Sequence, residues 1–161
     1  MLAPARRWAL RELKAHPGQA VLAGGCPAPW TLRVLRDLVG DSGSVLTVEG
    51  NPTRARHAKA LIASEGWSNL RVVADLASEI DRPIHVDRVL LDDGTCLIDR
   101  EALASILATL RPAARVVAVC RRGDKRRRDL EQQLSRPGFT ETCCLGFLSR
   151  QWERGEPDRI A

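Results

Sequence analysis

Between Val21 and Thr31 the chain reads VLAGGCPAPWT, a short apolar run that passes straight into a Gly/Pro-rich turn. An apolar run of this length bounded by glycine and proline reads as a buried strand, and Pro29-Trp30-Thr31 opens a helical pattern directly after it. A strand feeding a helix through a tight turn belongs to α/β architecture. At the carboxyl edge of the sheet, such a junction presents backbone N–H groups and a helix N-terminus, which is where small ligands bind.

The same alternation runs through the chain. Pro4 to Lys14 reads as a leading helix with Leu10 and Leu13 near Trp8, stopped at His16-Pro17-Gly18. The first strand is Ala20 to Ala23. The helix starting near Pro29 or Trp30 carries Thr31, Val34, Leu35 and Leu38 at helical spacing, and Gly40 stands where a left-handed C-cap belongs. Val45 to Val48 is the second strand. Asn51-Pro52 reads as N-cap and first helical residue ahead of Thr53 to Glu65, with Ala55, Ala58 and Ile62 on one face and Gly66 as stop. Further strands are Leu70 to Val73, Arg88 to Leu91, Val116 to Cys120 and Thr140 to Leu145. Between them lie a helix capped by Asp99 and ended by Pro112, with Leu103, Ile106, Leu107 and Leu110 as its apolar stripe, and another from Asp124 to Leu134.

Strands separated by single helices predict a Rossmann-like, doubly wound α/β fold, its sheet mainly parallel and covered by helices on both faces. At 161 residues and 44% hydrophobic composition there is material for one core and not for two. Residues 1–152 therefore read as a single minimal domain, and the charged, Gly- and Pro-containing 153–161 as a flexible C-terminal tail.

No apolar run approaches the roughly 20 residues of a membrane span. Arg6, Arg7, Arg11 and Lys14 interrupt the N-terminal stretch where a signal peptide is apolar, so a cytoplasmic protein with no membrane partner is expected. The five cysteines show no zinc-binding spacing, and an odd count suits reduced thiols. His16, His57 and His85 are scattered and read as structural or surface residues. The formal net charge is +5 and only Lys14, Lys59 and Lys125 are lysines, so arginine carries the excess. Arginine suits phosphate, although a solvated surface accounts equally for most of these residues. Aromatics at 4% with no tyrosine leave few stacking platforms for single strands, which makes nucleic acid the less favoured partner.

Dinucleotide binding fails on the residues of the turn. Its fingerprint needs G-x-G-x-x-G so that backbone approaches a pyrophosphate, whereas Gly24 and Gly25 are followed here by Pro27 and Pro29. Read together, HPGQAVLAGGCPAPWTL, SVLTVEGNP, GWSNLRVVAD, DRVLLDD and LRPAARVVAV are a better guide. In this order and spacing, from about Pro17 to Phe139, they resemble the class I S-adenosylmethionine-dependent methyltransferases.

The resemblance implies S-adenosylmethionine as cofactor and a set of site residues. Glu49, ending the second strand in VEGNP, matches the acid that accepts hydrogen bonds from both ribose hydroxyls, with Gly50 beside it; its alternative is a negative charge favouring the N-terminus of the next helix. Asp75 matches the acid that meets the adenine amino group, with Leu76 offering backbone, although an Asp after a strand is also a common turn former. Gly25 and Cys26 occupy the Gly-rich turn. There the family pattern of acid-x-Gly-x-Gly-x-Gly keeps Gly25, has Ala23 for the acid and has Pro27 and Pro29 for the later glycines. A proline has no N–H and cannot take a positive φ, so the turn follows another path.

Asp92 and Asp93 close the fourth strand, where the family places residues facing the transferred methyl and its acceptor. Two carboxylates there orient an acceptor or take its proton; alternatively one caps a turn and the other is solvated. A metal of the catechol O-methyltransferase kind needs an Asp-Asn pair after the fifth strand, and Cys120-Arg121-Arg122 stands there instead, so no metal is expected. Arg121 and Arg122 begin a basic run, RRGDKRRR, at the end of the fifth strand, on the same sheet edge. Cations at a helix N-terminus oppose its dipole, a cost that binding of an anionic acceptor would offset, although a solvated first turn accounts for the same residues.

Two function classes follow. One is a methyltransferase acting on a small-molecule or anionic acceptor. The other is a methyltransferase-like, non-catalytic binding or scaffold protein that has lost cofactor competence, acting as a homo-oligomer or as a partner subunit.

Overall fold

A computed structural model describes residues 4–25, 27–74, 85–91, 110–119, 139–142 and 149–154, together with the single helical residues Ala104, Ala108 and Gln132. In chain order the elements are α1 (Pro4–Leu13), β1 (Ala20–Gly24), α2 (Pro29–Val39), β2 (Ser44–Val48), α3 (Pro52–Glu65), β3 (Leu70–Val73), β4 (Val86–Leu91), β5 (Leu110–Val119), β6 (Phe139–Thr142) and β7 (Ser149–Arg154). They build one seven-stranded sheet in the order β3-β2-β1-β4-β5-β7-β6. The five strands from β3 to β5 run parallel, and β7 is antiparallel to both β5 and β6. This is the Rossmann-like α/β sheet the alternation predicts. The order reverses at β1, between β2 and β4, which is the topological switch point of such a sheet.

Successive residues of a strand face opposite sides of the sheet, and the parallel strands are apolar on both. On one side Val21, Ala23, Val45, Leu70, Val72, Leu90 and Val117 pack against Leu13 of α1, Leu32, Leu35 and Val39 of α2, and Ala55 and Ala58 of α3. Leu22, Leu46, Val89, Leu91, Val116 and Ala118 form a second buried layer. The stripe on α2 is turned relative to its sequence expectation. Thr31 and Leu35 are buried as expected, but Leu32 and Val39 complete the buried face, and Val34 and Leu38 are half-buried. A helix start one residue earlier or later in register rotates the apolar face by about 100°, so spacing alone leaves this orientation open.

The start of α3 obeys the local sequence closely. Asn51 is the N-cap, its side chain accepting from Thr53 N at 3.0 Å and Arg54 N at 3.1 Å, Pro52 is the first helical residue, and Gly66 closes the helix in the left-handed conformation. Replacing Asn51 by Ala is expected to destabilise the fold by about 1 kcal/mol, the usual loss for an N-cap, readable as a lower urea midpoint with unchanged slope. Gly40, after α2, differs from expectation: φ is 64° but ψ is −172°. That region is open essentially to glycine alone, so the residue type is required although the cap is not the left-handed one.

β5 departs most from the sequence reading. Leu110, assigned to a helical stripe ended by Pro112, is instead the first residue of β5. It pairs with Val86, and the register resumes only at Arg88 and Arg115, so 111–114 lie opposite Asp87 alone. Proline lacks the ladder N–H and Ala113 has φ 63°, both suited to such an irregularity. Asp87 holds it together: Oδ1 accepts from Arg111 Nη1 at 2.9 Å and Oδ2 from Ala20 N, at the head of β1, at 2.8 Å. Side by side on β4 and β5, Arg88 and Arg115 reach the last carbonyls of the α1 region, Arg88 Nε donating to Lys14 O at 3.2 Å and Arg115 Nη1 to Glu12 O at 2.9 Å. Cations suit a helix C-terminus. Burial, and then the neighbouring Arg115, draw the Arg88 guanidinium pKa below its ordinary value against the opposing pull of Asp87.

A seventh strand is absent from the sequence reading. Polar SRQWER carries no apolar signature, yet Arg115 pairs with Glu153, and Thr140 and Phe139 pair with Glu153 and Arg154. Glu153 and Arg154, the first two residues of the expected tail, are the last two of β7, and 155–161 lie outside the described residues. Among the described residues, no helix is long and apolar enough to cross a membrane.

Candidate functional site

The parallel register aligns the carboxyl ends of the central strands in one row, Val73, Val48, Gly24, Leu91 and Ala118. Gly25 directly follows β1 and Glu49 directly follows β2, so each of these two predicted site residues comes one position after the paired strand ends Gly24 and Val48. Gly25 has φ 71°, a conformation in which glycine alone is unstrained, and this turns the chain out of the sheet. Pro27 is buried and Pro29 is the first residue of α2. The helix begins with Thr31 N donating to Ala28 O at 2.7 Å, and Ala28 contributes no side-chain cap. Pro29 thus occupies the one helical position where its fixed φ helps and its missing N–H costs nothing. Substituting Gly at both Pro27 and Pro29 is expected to lower stability by about 1–2 kcal/mol through unfolded-chain entropy. It is expected to leave S-adenosylhomocysteine affinity no better, as melting and titration of one double variant will show.

Glu49 is 2% exposed. Its N–H donates to Val73 O at 2.8 Å, extending the β2–β3 ladder by one step. Its Oε1 accepts from Asn51 N at 2.7 Å and from Arg54 Nη2 at 3.2 Å. A charge this deeply buried requires such partners. Asn51 and Arg54 belong to the beginning of α3, so the helix-start role open to Glu49 in the sequence is realised. Gly50, the next residue, is exposed, and a Cβ there would meet nothing within 4 Å. A groove of about 250 Å³ lies between the 27–29 turn and α3, lined by Pro27, Ala28, Pro29, Leu32, Arg54 and His57 among others.

Gly25, Glu49 and Gly50 are thus brought to one edge. Cys26, Asp75, Leu76, Asp92, Asp93, Arg121 and Arg122 lie outside the described residues; β4 ends at Leu91, directly before Asp92 and Asp93, while β3 ends at Val73, two residues before Asp75, and β5 at Val119, two residues before Arg121. Sequence reasoning missed Arg54. Its contact with Glu49 depends on the capping geometry of Asn51, which brings the first turn of α3 back over the end of β2, and no spacing rule announces it.

No protein-family model matches the chain, and no curated protein matches it in sequence. Solved structures with similar folds include an S-adenosylmethionine-dependent O-methyltransferase from Thermotoga maritima, with a TM-score of 0.72 at 17% identity over 99% of this chain and 68% of that one. A rRNA methylase from Streptococcus thermophilus has a TM-score of 0.70 at 13% identity, covering 97% of this chain and 99% of that one. TrmN from Thermus thermophilus has a TM-score of 0.65 at 23% identity, over 92% of this chain and 46% of that one.

Proposed function

We propose that this chain, whose fold is that of the class I S-adenosylmethionine-dependent methyltransferases, binds S-adenosylmethionine at the carboxyl edge of β1 and β2 and methylates a small-molecule or anionic acceptor. The observation that carries the reading is the buried Glu49 carboxylate directly after β2, with Gly25 directly after the paired end of β1 and open space at Gly50. In this reading Glu49 accepts the ribose hydroxyls, and Gly50 leaves room for the sugar. Gly25 and Cys26 offer backbone to the amino-acid portion, and Asp75 and the Leu76 backbone hold the adenine.

When bound, the sulfonium supplies a methyl group that is already activated, so the protein's task is alignment and proton removal. Asp92 and Asp93, following the end of β4, orient the acceptor and take its proton. Arg121 and Arg122 draw the acceptor's anionic group to the same edge.

A non-catalytic binding or scaffold protein is the second reading, favoured by the engagement of Glu49 with α3 and by the prolines of the turn. Isothermal titration of the full chain with S-adenosylhomocysteine separates the two. Binding is expected; absence of both heat and thermal shift at saturating ligand leaves the scaffold. For the acceptor, charge reversal at Arg121 and Arg122 is expected to weaken binding of a polyanion while S-adenosylhomocysteine affinity is unchanged. Polyanion affinity should also fall steeply as salt rises. Salt-independent methylation of a neutral compound, indifferent to the reversal, makes the basic run surface only.

A further inference from the structure

The charges of α3 do not serve the helix itself. Arg54, Arg56, His57 and Lys59 stand in its first half, and its one acid, Glu65, is its last residue and accepts from Arg33 Nη2 at 2.6 Å. The first turn holds no acid and the last no cation, the reverse of what the helix dipole favours. No cation of α3 has an acid three or four residues away, so intrahelical pairs contribute nothing either. Arg54 is turned to Glu49, but the ion pairs among the described residues include neither Arg56 nor Lys59. Opposite the buried Ala55 and Ala58 and the half-buried Ile62, the residues Thr53, Arg56, His57, Ala60, Ala63 and Ser64 fall on one stripe at helical spacing, and all six are exposed. Lys59, three residues after Arg56, lines a groove of about 480 Å³ between α3 and β3. Because α3 runs back from the end of β2 toward the start of β3, its basic half lies toward the carboxyl edge that carries Glu49.

We propose that this outer face of α3 docks the phosphate backbone of a double-helical nucleic acid, which makes the methyl acceptor a nucleotide of that molecule. The docking surface stands by itself; the identity of the acceptor rests on the cofactor reading above. Charge complementarity selects a polyanion, and the side chains on the stripe select which one. Its only apolar side chains are alanines, so it lacks the large anchors on which protein interfaces depend, and an acidic protein is the poorer fit. It has no aromatic on which unpaired bases could stack, so a single strand is the poorer nucleic acid. Cations interspersed with hydroxyls and small residues are the set that contacts phosphates, and a duplex read through its backbone needs nothing more.

The test is fluorescence anisotropy of the full chain with labelled mixed-sequence duplexes, one of RNA and one of DNA, between about 50 and 200 mM salt. Wild type is expected to bind, and the tighter of the two duplexes names the source of the backbone. The double variant Arg56→Gln with Lys59→Gln should lose about two from the slope of log affinity against log salt, about 0.9 for each phosphate contact, and bind roughly tenfold more weakly at the low-salt end. Arg56→Lys with Lys59→Arg keeps both charges and should bind as wild type. Arg7→Gln with Arg11→Gln removes the same charge from exposed positions of α1 and should leave affinity within about twofold of wild type. Equal weakening by the α1 and α3 variants reduces the effect to net charge and overturns the surface. Displacement of the duplex by polyglutamate at equal charge concentration overturns it in favour of an acidic protein, and absence of duplex binding by wild type at the lowest salt overturns it outright. S-adenosylhomocysteine titrated in parallel keeps the two readings apart. Its binding without duplex binding leaves the cofactor and removes the surface, whereas duplex binding without it leaves the surface and removes the nucleotide as methyl acceptor.

Discussion

Glu49→Ala is expected to weaken S-adenosylhomocysteine binding by about 1–3 kcal/mol, the loss that follows when polar groups of a buried site are left without partners. The motive is the position of the carboxylate: 2% exposed, one residue beyond the paired ends of β1 and β2, and oriented by Asn51 N and Arg54. The same change removes the acceptor for the first N–H of the α3 start, so the ligand-free protein should also melt lower. Affinity and stability are therefore measured on one preparation, by titration and by thermal melting. A variant with lower melting temperature and wild-type affinity confines Glu49 to the α3 start and removes it from the cofactor site.

Leu35→Ala is expected to cost about 2–5 kcal/mol, the range for emptying a fully buried leucine site. Leu35 is 0% exposed and sits at the centre of the buried face of α2, between Leu32 and Val39. For a chain of this size, that corresponds to a fall in Tm of roughly 5–20 °C. Leu38→Ala is the control. The apolar spacing of the sequence puts Leu38 in the same stripe, whereas the fold leaves it half-buried, so its loss should be less than half as large. Equal losses at the two positions, read from urea midpoints with a common slope, restore the stripe in the orientation the spacing predicts.

Much of the fold is legible before any tertiary information. β3 has the predicted bounds, Leu70–Val73, and β1, β2 and α2 come within a residue of theirs, because buried parallel strands are continuous apolar runs bounded by turn residues. Asn51, Pro52 and Gly66 specify α3 through hydrogen bonds and dihedrals that act within one helical turn. Local chemistry of this kind is written in consecutive residues. The failures share the opposite property. Leu110 joins a strand because Val86 offers it a ladder position, and SRQWER becomes β7 because β5 and β6 supply partners for its backbone, not because its side chains favour the sheet.

At the candidate site the division is the same. A Gly/Pro turn, an acid after β2 and a capped helix can be read along the chain in that order, since each depends on neighbours a few residues away. The tertiary structure alone aligns the strand ends that Gly25 and Glu49 follow, because that alignment is the Gly24–Val48 register of two strands separated by a whole helix. It also decided that Arg54 turns back onto Glu49 at 3.2 Å, since a long side chain's partner is set by which buried charge the packed backbone brings within its reach.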